Sequence, residues 1–328
     1  MASRRSVVVA FGASVLLGRR CALAQTASKP ARIGFLRFSD QQSGRPYVES
    51  FRQGLRNLGY AEGKDFTLEA RFADGSVERL LPLAEELIKR KVDLIVTTDT
   101  PATRAAQQAT ATIPVVMVNV IDPVGSGFVD RLAQPGGNIT GLTSMTGDIS
   151  TKHIQLLKTL IPKLSRLAVL VNPSNPAHRG VLLSIESASR QFGIATLPVE
   201  APDRQKIGEA FATIAGAKAD AMIVVADAFF AQQRQQIALL AARHQLASIS
   251  ANREYAEAGA LMSYGQNFQD NVRRAATFVD KILRGAKPEH LAIERPTKFE
   301  LVINRSTAKV LGLAIPHELA LIADEIID

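Results

Sequence analysis

Acidic and polar residues follow each of five short apolar runs in this 328-residue chain. The runs are residues 33–38, 92–97, 114–120, 166–171 and 221–226. The residues after them are Ser39 and Asp40, Thr98, Asp99 and Thr100, Asp122, Asn172, and Asp227 with Phe229. Ligands of parallel sheets bind outside the carboxyl ends of the strands, so these residues predict a ligand site.

The residue types at these strand ends indicate which chemical groups they would bind. Carboxylates that face a cleft suit an ammonium group or several hydroxyls. Thr98 and Thr100 stand beside an expected helix N-terminus, where a carboxylate or another small anion is stabilised. The set therefore predicts binding of a small polar molecule.

The four aspartates Asp40, Asp99, Asp122 and Asp227 also have a purely structural interpretation. Asp, Ser and Thr accept hydrogen bonds from the free N–H groups at the start of a helix. Thr100 fits this capping role, because Pro101 would then be the first helical residue. Capping and ligand binding both stay open for each aspartate.

Sequence motifs of common enzyme sites are missing. The chain has no G-x-S-x-G and no G-x-x-x-x-G-K-[ST] motif, and Asp130 stands where a dinucleotide fingerprint after Gly125 needs glycine. Its five histidines do not pair at metal-ligand spacing, and its single cysteine, Cys21, excludes a Cys-based metal site. The sequence predicts a binding protein with no catalytic residue, no metal and no cofactor.

Strands and amphipathic helices alternate along the chain. The five apolar runs lack polar alternation, which is typical of strands covered on both faces of a parallel sheet. Residues 47–59 and 268–284 carry apolar residues at helical spacing. Repeated βα units predict a doubly wound α/β architecture, with one sheet near residues 31–142 and a second from 166 to about 263.

Residues 1–24 are predicted to be a cleaved export signal. Arg4 and Arg5 precede a short apolar run, and Ala22-Leu23-Ala24 forms an A-x-A cleavage signal. The run is shorter than the ~20 residues of a membrane-spanning helix, and no later run is longer. We therefore expect a mature chain in the periplasm that does not insert into the membrane.

The positive charge of the whole chain is typical of nucleic-acid-binding proteins, but half of it lies in the predicted export signal. The formal net charge is +8, but residues 1–24 contain four arginines and no acidic residue, so the mature chain carries +4. Aromatic residues make up 5% and tryptophan is absent, which disfavours a base-stacking surface. We expect no nucleic-acid partner.

Longer stretches of the chain carry a family resemblance. They include RPYVESFRQGLRNLGYAEGK at 45–64, DPVGSGFVDRLAQPGGNITGLT at 122–143, LAVLVNPSNP at 167–176 and PTKFELVINRSTAKVLGL at 296–313. Together they resemble the ABC-transporter substrate-binding protein family, whose characterised relatives include tryptophan- and tyrosine-binding proteins. The resemblance covers residues 30–328 in order.

The resemblance implies a type I periplasmic-binding-protein fold, in which two Rossmann-like lobes hold a ligand in the cleft between them. Carried onto this chain, lobe one comprises residues 31–143 and 265–287, and lobe two comprises 144–264 and 291–328. Hinges then fall near 143–144, 263–265 and 288–293. Asp40, Asp99 and Asp122 would face the cleft from lobe one, and Asp227 from lobe two.

The same resemblance adds candidate ligand contacts. Asn172 would lie beside Asp227, with Phe229 as an apolar wall, and Thr143 and Tyr264 would lie at hinges. Residue 99 departs from the family pattern, because many members have a small residue where Asp99 stands.

The resemblance also implies a mechanism and partners. A ligand that touches both lobes binds the closed state better and so shifts the population towards closure. We expect the chain to act as a monomer that delivers a small polar ligand, such as an amino acid or a related metabolite, to an ABC permease and its ATPase. The alternative, a periplasmic ligand-sensing module for a signalling partner, stays open.

Overall fold

The computed structural model describes residues 29–144, 149–296 and 298–328. The predicted export signal at 1–24 lies outside these residues. Within the described ranges, no helix has the length and apolar character needed to cross a bilayer.

The first sheet has five parallel strands in the order β2-β1-β3-β4-β5. Its strands are β1 (Ala31–Arg37), β2 (Phe66–Phe72), β3 (Leu94–Thr97), β4 (Val115–Ile121) and β5 (Ile139–Ser144). The strand order reverses beside β1, so the carboxyl ends of β1 and β3 form a topological switch point.

The second sheet has seven strands in the order β12-β11-β10-β9-β8-β6-β7. Its strands are β6 (Arg166–Val171), β7 (Ala195–Glu200), β8 (Ala221–Val224), β9 (Ala247–Ser250), β10 (Met262–Gln266), β11 (Phe299–Asn304) and β12 (Glu325–Ile327). All neighbours are parallel except β10 and β11. Here the switch point lies between β6 and β8.

Helices cover both faces of both sheets. They are α1 (Gln41–Asn57), α2 (Leu80–Lys89), α3 (Thr100–Ala109), α4 (Ser150–Leu160), α5 (Ala177–Gln191), α6 (Arg204–Gly216), α7 (Ala228–Gln232), α8 (Arg234–Arg243), α9 (Arg253–Glu257), α10 (Phe268–Leu283), α11 (Arg305–Val310) and α12 (His317–Ile322). Two 3₁₀ turns, Val77–Arg79 and Pro288–His290, complete the regular structure of the described ranges.

Each sheet has a hydrophobic core on both faces, as the unbroken apolar strands predict. On one face of the first sheet, Phe35 and Val116 pack with Phe51 of α1 and Phe278 of α10. The two helices approach so closely that a Cβ atom on Gly54 would lie 2.1 Å from a backbone oxygen of α10. Glycine is therefore required at this helix crossing, and α1 and α10 are held as one layer.

The chain passes between the two sheets more than once. Helix α10 packs on the first sheet, although β10 before it and β11 after it belong to the second. The segment before β11 pairs with the first sheet, where Thr143 N–H donates to the Glu294 carbonyl at 3.0 Å. The hinge positions near 143–144, 263–265 and 288–293 stay a prediction from the family resemblance.

The predicted α/β class with two sheets is confirmed. All five apolar runs contain strands, with ends that differ from the predicted ones by up to two residues. The other seven strands were not predicted from the sequence. Strand β2, for example, lies at the sheet edge and is partly exposed along most of its length.

Candidate ligand-binding cleft

A cleft between the two sheets lies at the carboxyl ends of the parallel strands. Its lining comes from the ends of β1, β3, β4 and β5 in the first sheet and of β6, β8 and β9 in the second. The cleft measures about 510 Å³, counting the part that is open to solvent. Both switch points contribute to it, as expected for a ligand site in doubly wound sheets.

Arg37, the last residue of β1, is a buried cation in this cleft. Its Nε donates to the Ser39 hydroxyl and its Nη1 to the Thr98 hydroxyl, both at 2.8 Å. The guanidinium lies 3.7 Å above the centre of the Tyr47 ring, which is a cation–π contact. A guanidinium has five N–H donors, so Arg37 has donors left for a planar anion.

Asp99 caps the helix α3 at the next strand end. Its Oδ1 accepts from Ala102 N–H at 2.8 Å and its Oδ2 from Phe38 N–H at 3.0 Å. Thr100, which the sequence analysis expected as the cap, is instead the first helical residue, because the extended backbone needed at a cap falls on Asp99. Thr98, Asp99 and Thr100 all line the cleft at the start of α3. Pro101 has no N–H group, and the N–H groups of Ala102 and Thr103 donate to Asp99, so the N–H group of Thr100 is the one in this first turn that Asp99 does not bind.

Three charges share the cleft closely enough to influence one another. Burial raises the pKa of Asp99 and the Asp227 charge raises it further, while Arg37 and two backbone N–H groups act in the opposite direction. The cleft therefore holds one cationic side chain, Arg37, and two carboxyl groups, those of Asp99 and Asp227.

Asp227 presents a carboxylate from the second sheet. Its Oδ1 accepts from the amide of Asn172 and from the backbone N–H groups of Phe229 and Phe230. Its Oδ2 accepts from the Asn175 amide at 2.9 Å. One carboxylate oxygen is thus fully used as the cap of α7, and the other can accept a further hydrogen bond.

His178 supports Asp227 from behind. Its Nδ1 accepts from Asn172 N–H at 2.9 Å, which places the proton of the neutral ring on Nε2. Nε2 lies 3.1 Å from the Ala226 carbonyl and 3.5 Å from the Asp227 carboxylate. Burial lowers the pKa of His178 more than Asp227 raises it, so the ring is neutral near pH 7.

Aromatic and amide side chains complete the cleft wall. Tyr47 and Phe268 line it from helices α1 and α10, and Asn252 lines it from the end of β9. Asn119 sits in an irregularity of β4 with a φ of 58° and hydrogen-bonds the backbone of Phe268 and the side chain of Asn271. Bulges of this kind re-aim side chains next to functional sites.

Two of the four predicted aspartates are not part of the lining of this cleft. Asp40 caps α1, because its carboxylate accepts a hydrogen bond from Ser43 N–H. Burial alone would raise the pKa of Asp40, but its hydrogen bonds have the larger combined effect, so the pKa is lowered. Asp122 is exposed in a tight turn with a φ of 43° and accepts from Gly125 N–H. Both residues therefore act as caps, and Asp122 also lines a neighbouring cavity between the sheets, with Thr143 and residues of α5.

Three further predicted residues also lie outside the cleft lining. Thr143 is buried and donates to the Val120 carbonyl at 2.8 Å. Tyr264 stacks on Phe299 at 5.9 Å on the second sheet. Phe229 packs against apolar clusters of both sheets, so it joins the lobes rather than lining the cleft. The cleft itself brings together Thr98, Asp99, Thr100 and Asp227, with Ser39 and Asn172 directly behind them.

Several cleft residues were not predicted from the sequence. They are Arg37, Tyr47, Asn119, Asn175, Asn252 and Phe268. The sequence contains one indication of Arg37 as a site residue, because it is the one charged residue in the apolar run at 33–38. Within the described part of the chain, no group of three His, Cys, Asp or Glu residues is placed to hold a metal ion.

The two sheets with a cleft at their facing switch points define the class of two-lobed small-molecule binding proteins. The model of the ABC transporter substrate binding protein family matches residues 32–327, so the chain belongs to that family. The family resemblance described above is therefore confirmed, and the role of the family is to bind a small molecule.

Individual relatives agree with this assignment. The chain is 24% identical over 287 residues to a protein of Clostridioides difficile (strain R20291) described as a tyrosine-binding protein, covering 88% of this chain and 82% of the relative. A crystal structure of a conserved domain protein from Vibrio cholerae is 27% identical, with a TM-score of 0.85, covering 91% of this chain and all of that one.

A third relative was solved with a bound amino acid. This Streptococcus pneumoniae domain, in complex with L-Trp, is 23% identical, with a TM-score of 0.86, and the match covers 91% of this chain and all of that chain. At this identity the likeness shows the type I periplasmic-binding-protein fold, which confirms the predicted fold class.

Proposed function

We propose that this protein binds an α-amino acid with an aromatic or apolar side chain in the cleft between its lobes and delivers it to an ABC permease. The observation that carries the proposal is the pair of opposite charges in the cleft. Arg37 on the first sheet keeps donors for a carboxylate, and Asp227 on the second keeps an acceptor for an ammonium group.

The carboxylate of such a ligand is matched by more than one group. The Arg37 guanidinium is oriented by two hydroxyls and by the ring of Tyr47. Thr100 lies beside it at the N-terminus of α3, where the helix dipole favours an anion. A guanidinium with free donors next to a helix N-terminus is suited to bidentate binding of a carboxylate.

The side chain of the ligand would contact the apolar part of the lining. Tyr47, Phe268, Pro101 and Ile121 supply aromatic and aliphatic surface there. The descriptions of the relatives, one tyrosine-binding and one in complex with L-Trp, support the same class of ligand.

Membership of the ABC transporter substrate binding protein family supports a role in transport. We propose that the mature chain lies in the periplasm and that the closed form is what the permease and its ATPase partner recognise. Because the ligand contacts both lobes, binding shifts the population towards this closed form.

Closure is supported by a hydrogen bond that spans the cleft mouth. The Tyr47 hydroxyl, on α1, donates to Glu254 Oε1, on α9, at 2.8 Å. Burial and then the Glu254 charge raise the pKa of Tyr47, so the hydroxyl keeps its proton. This contact joins the two lobes and can exist only when they are close together.

Tyr47→Phe is expected to weaken ligand binding by roughly threefold to tenfold, the effect of losing one hydrogen bond that favours closure. The ring and its contact with Arg37 are retained, so selectivity among ligands should not change. Isothermal titration calorimetry on the variant and the unaltered protein measures both quantities.

Tyr60→Phe is the matched control. The Tyr60 hydroxyl also donates to a carboxylate at 2.8 Å, that of Asp280, but both residues belong to the first lobe. Its loss should lower thermal stability without changing ligand affinity. Equal affinities for Tyr47→Phe and the unaltered protein would show that the interlobe bond does not contribute to binding.

The proposed ligand class is tested by calorimetry of the mature chain with L-tyrosine, L-tryptophan, L-phenylalanine, L-alanine and L-lysine. Binding of at least one aromatic amino acid, tighter than L-alanine and L-lysine, is the expected result. A thermal-shift assay provides a second readout, since a ligand at 100 times its Kd adds about 2.7 kcal/mol of stability. Binding of none of the five would contradict the proposal.

A further inference from the structure

The ring of His178 connects two neighbouring strand ends beneath the cleft. His178 belongs to α5 and is 2% exposed. Its Nδ1 accepts from the N–H group of Asn172, which follows β6, and its Nε2 lies 3.1 Å from the carbonyl of Ala226, which follows β8. Strands β6 and β8 are neighbours on either side of the switch point of the second sheet. The ring therefore joins the two strand ends that carry Asn172 and Asp227.

The segment between β6 and α5 binds the Asp227 carboxylate from the same side. The side-chain oxygens of Asn172 and Asn175 each accept from a backbone N–H group two residues further on, so their own turn orients both amides. The two amide N–H₂ groups donate to the two oxygens of Asp227 at 3.1 and 2.9 Å. His178 anchors the start of this segment through the backbone N–H group of Asn172.

The hydrogen bonds of His178 fit only the neutral ring. A backbone N–H group always donates, so Nδ1 carries no proton where it accepts from Asn172. A protonated ring would direct an Nδ1–H group at that N–H group, donor against donor. Burial lowers the pKa of His178 below its ordinary value of 6.5, while the charge of Asp227, 3.5 Å away, acts in the opposite direction. Protonation in the folded protein therefore takes place in acidic solution and breaks the bond to Asn172.

A protonated His178 would compete with the ligand for Asp227. Among the described residues, the one acidic group within ion-pair distance of the ring is Asp227, the proposed partner of the ligand ammonium. An imidazolium at this distance would neutralise much of its charge. Asp99 on the first sheet and Tyr255 of α9 also interact with Asp227. Burial raises the pKa of both, so Tyr255 stays neutral, and the protonation of Asp99 must be separated from that of His178.

We propose that His178 is a positioning residue for the ligand site: its neutral ring holds the Asp227 carboxylate ready for the α-ammonium group, and its protonation withdraws that carboxylate from the ligand. Affinity for an amino acid therefore falls in acidic solution. The assignment rests on the proposed function, because it needs a ligand ammonium at Asp227. By linkage, the bound ammonium also makes His178 harder to protonate.

The test measures affinity by calorimetry between about pH 5 and pH 8, the range in which histidine changes charge. The ligand is the one among L-tyrosine, L-tryptophan and L-phenylalanine that the unaltered protein binds best at neutral pH. Affinity should be constant at neutral pH and fall in acid, with a loss of roughly threefold or more near pH 5. His178→Gln should lose this decline and keep the neutral-pH affinity within roughly threefold, because glutamine supplies an acceptor and a donor but does not titrate.

His153→Gln is the matched control. His153 is also buried in the second lobe, and its Nε2 lies 2.6 Å from the Tyr264 carbonyl, but it is not part of the cleft lining. This variant should keep the affinity and the pH profile of the unaltered protein. His178→Leu has neither donor nor acceptor, so it should lose roughly threefold to tenfold in affinity at neutral pH, a loss that glutamine avoids. Thermal unfolding without ligand shows whether each variant is folded.

A decline of equal size in His178→Gln would assign the pH dependence to Asp99 or Asp227 and overturn the proposal. Equal affinity of the unaltered protein at both ends of the pH range would overturn it as well. The ligand analogue that lacks the amine, such as 3-(4-hydroxyphenyl)propionate for L-tyrosine, should show no decline, and an equal decline would mean that His178 acts only on the fold of its lobe. If the unaltered protein binds none of the three amino acids at neutral pH, the proposed function itself fails. If it binds one without the decline, this assignment alone fails.

Discussion

Replacing Arg37 with methionine is expected to reduce affinity for the aromatic amino acid by roughly 30-fold to 5000-fold, which corresponds to the 2–5 kcal/mol lost when one partner of a buried charge pair is truncated. Methionine has a similar length and keeps the packing on the Tyr47 ring, but it offers no donor. The ligand carboxylate would then be desolvated next to hydroxyls and the N-terminus of α3, without the guanidinium charge.

The loss should depend on the carboxylate of the ligand. The unaltered protein should bind L-tyrosine more tightly than tyramine, which has the same ring and amine but no carboxylate. In Arg37→Met that preference should largely disappear. Arg37→Lys should recover only part of the affinity, because an ammonium cannot bind a carboxylate through two parallel N–H donors. Calorimetry with both ligands on the three proteins measures the difference.

Arg32→Met is the matched control for this prediction. Arg32 lies at the other end of the same strand, where it is partly exposed and pairs with Glu69 at 3.4 Å. Its replacement should leave ligand affinity unchanged. If Arg37→Met bound L-tyrosine as tightly as Arg32→Met does, the carboxylate would have to bind elsewhere in the cleft.

The strand ends were the part of the site that the sequence could predict. Apolar runs without alternating polar residues indicate buried parallel strands. The residues that follow these strands lie together, because the carboxyl ends of parallel strands are at the same edge of the sheet. Thr98, Asp99, Thr100 and Asp227 were found in this way. Asp40 and Asp122 follow strands in the same manner, but their carboxylates accept from N–H groups of their own loops.

The aromatic wall of the cleft could not be predicted from spacing. Tyr47 and Phe268 lie on the apolar faces of α1 and α10, where spacing alone indicates core residues. They reach the cleft because the helix crossing at Gly54 joins the two helices as one layer whose N-terminal ends meet the strand ends. That arrangement depends on tertiary packing between residues more than 200 positions apart.

Arg37 was missed for a different physical reason. A charged residue is rarely buried unless it has a partner, and the neighbours of Arg37 in sequence, Leu36 and Phe38, are apolar. Its partners are supplied by Thr98 from another strand and by the Tyr47 ring from a helix. A single charged residue at the end of an apolar run is the signal that would have indicated it.

Asp227→Asn is expected to weaken binding of L-tyrosine by roughly 30-fold or more, because the ligand ammonium loses its only directly opposed charge on the second sheet. The variant keeps the cap of α7, since asparagine also accepts from helix N–H groups. Its new amide N–H₂ would replace Oδ2 and face the Asn175 amide, donor against donor. We therefore also expect a loss of about 1–3 kcal/mol in the free energy of unfolding.

Two comparisons separate the ligand contact from the structural role of Asp227. Asp203→Asn removes the charge of another helix cap on the same lobe, where Oδ1 accepts from Lys206 N–H at 2.9 Å, and it should not change affinity. The ligand 3-(4-hydroxyphenyl)propionate lacks the ammonium, so the Asp227→Asn variant should bind it at least as well as the unaltered protein does. Equal losses for this ligand and for L-tyrosine would mean that Asp227 acts only by holding the fold of the second lobe. A loss confined to L-tyrosine would assign the ammonium to Asp227, because the two ligands differ in that group alone.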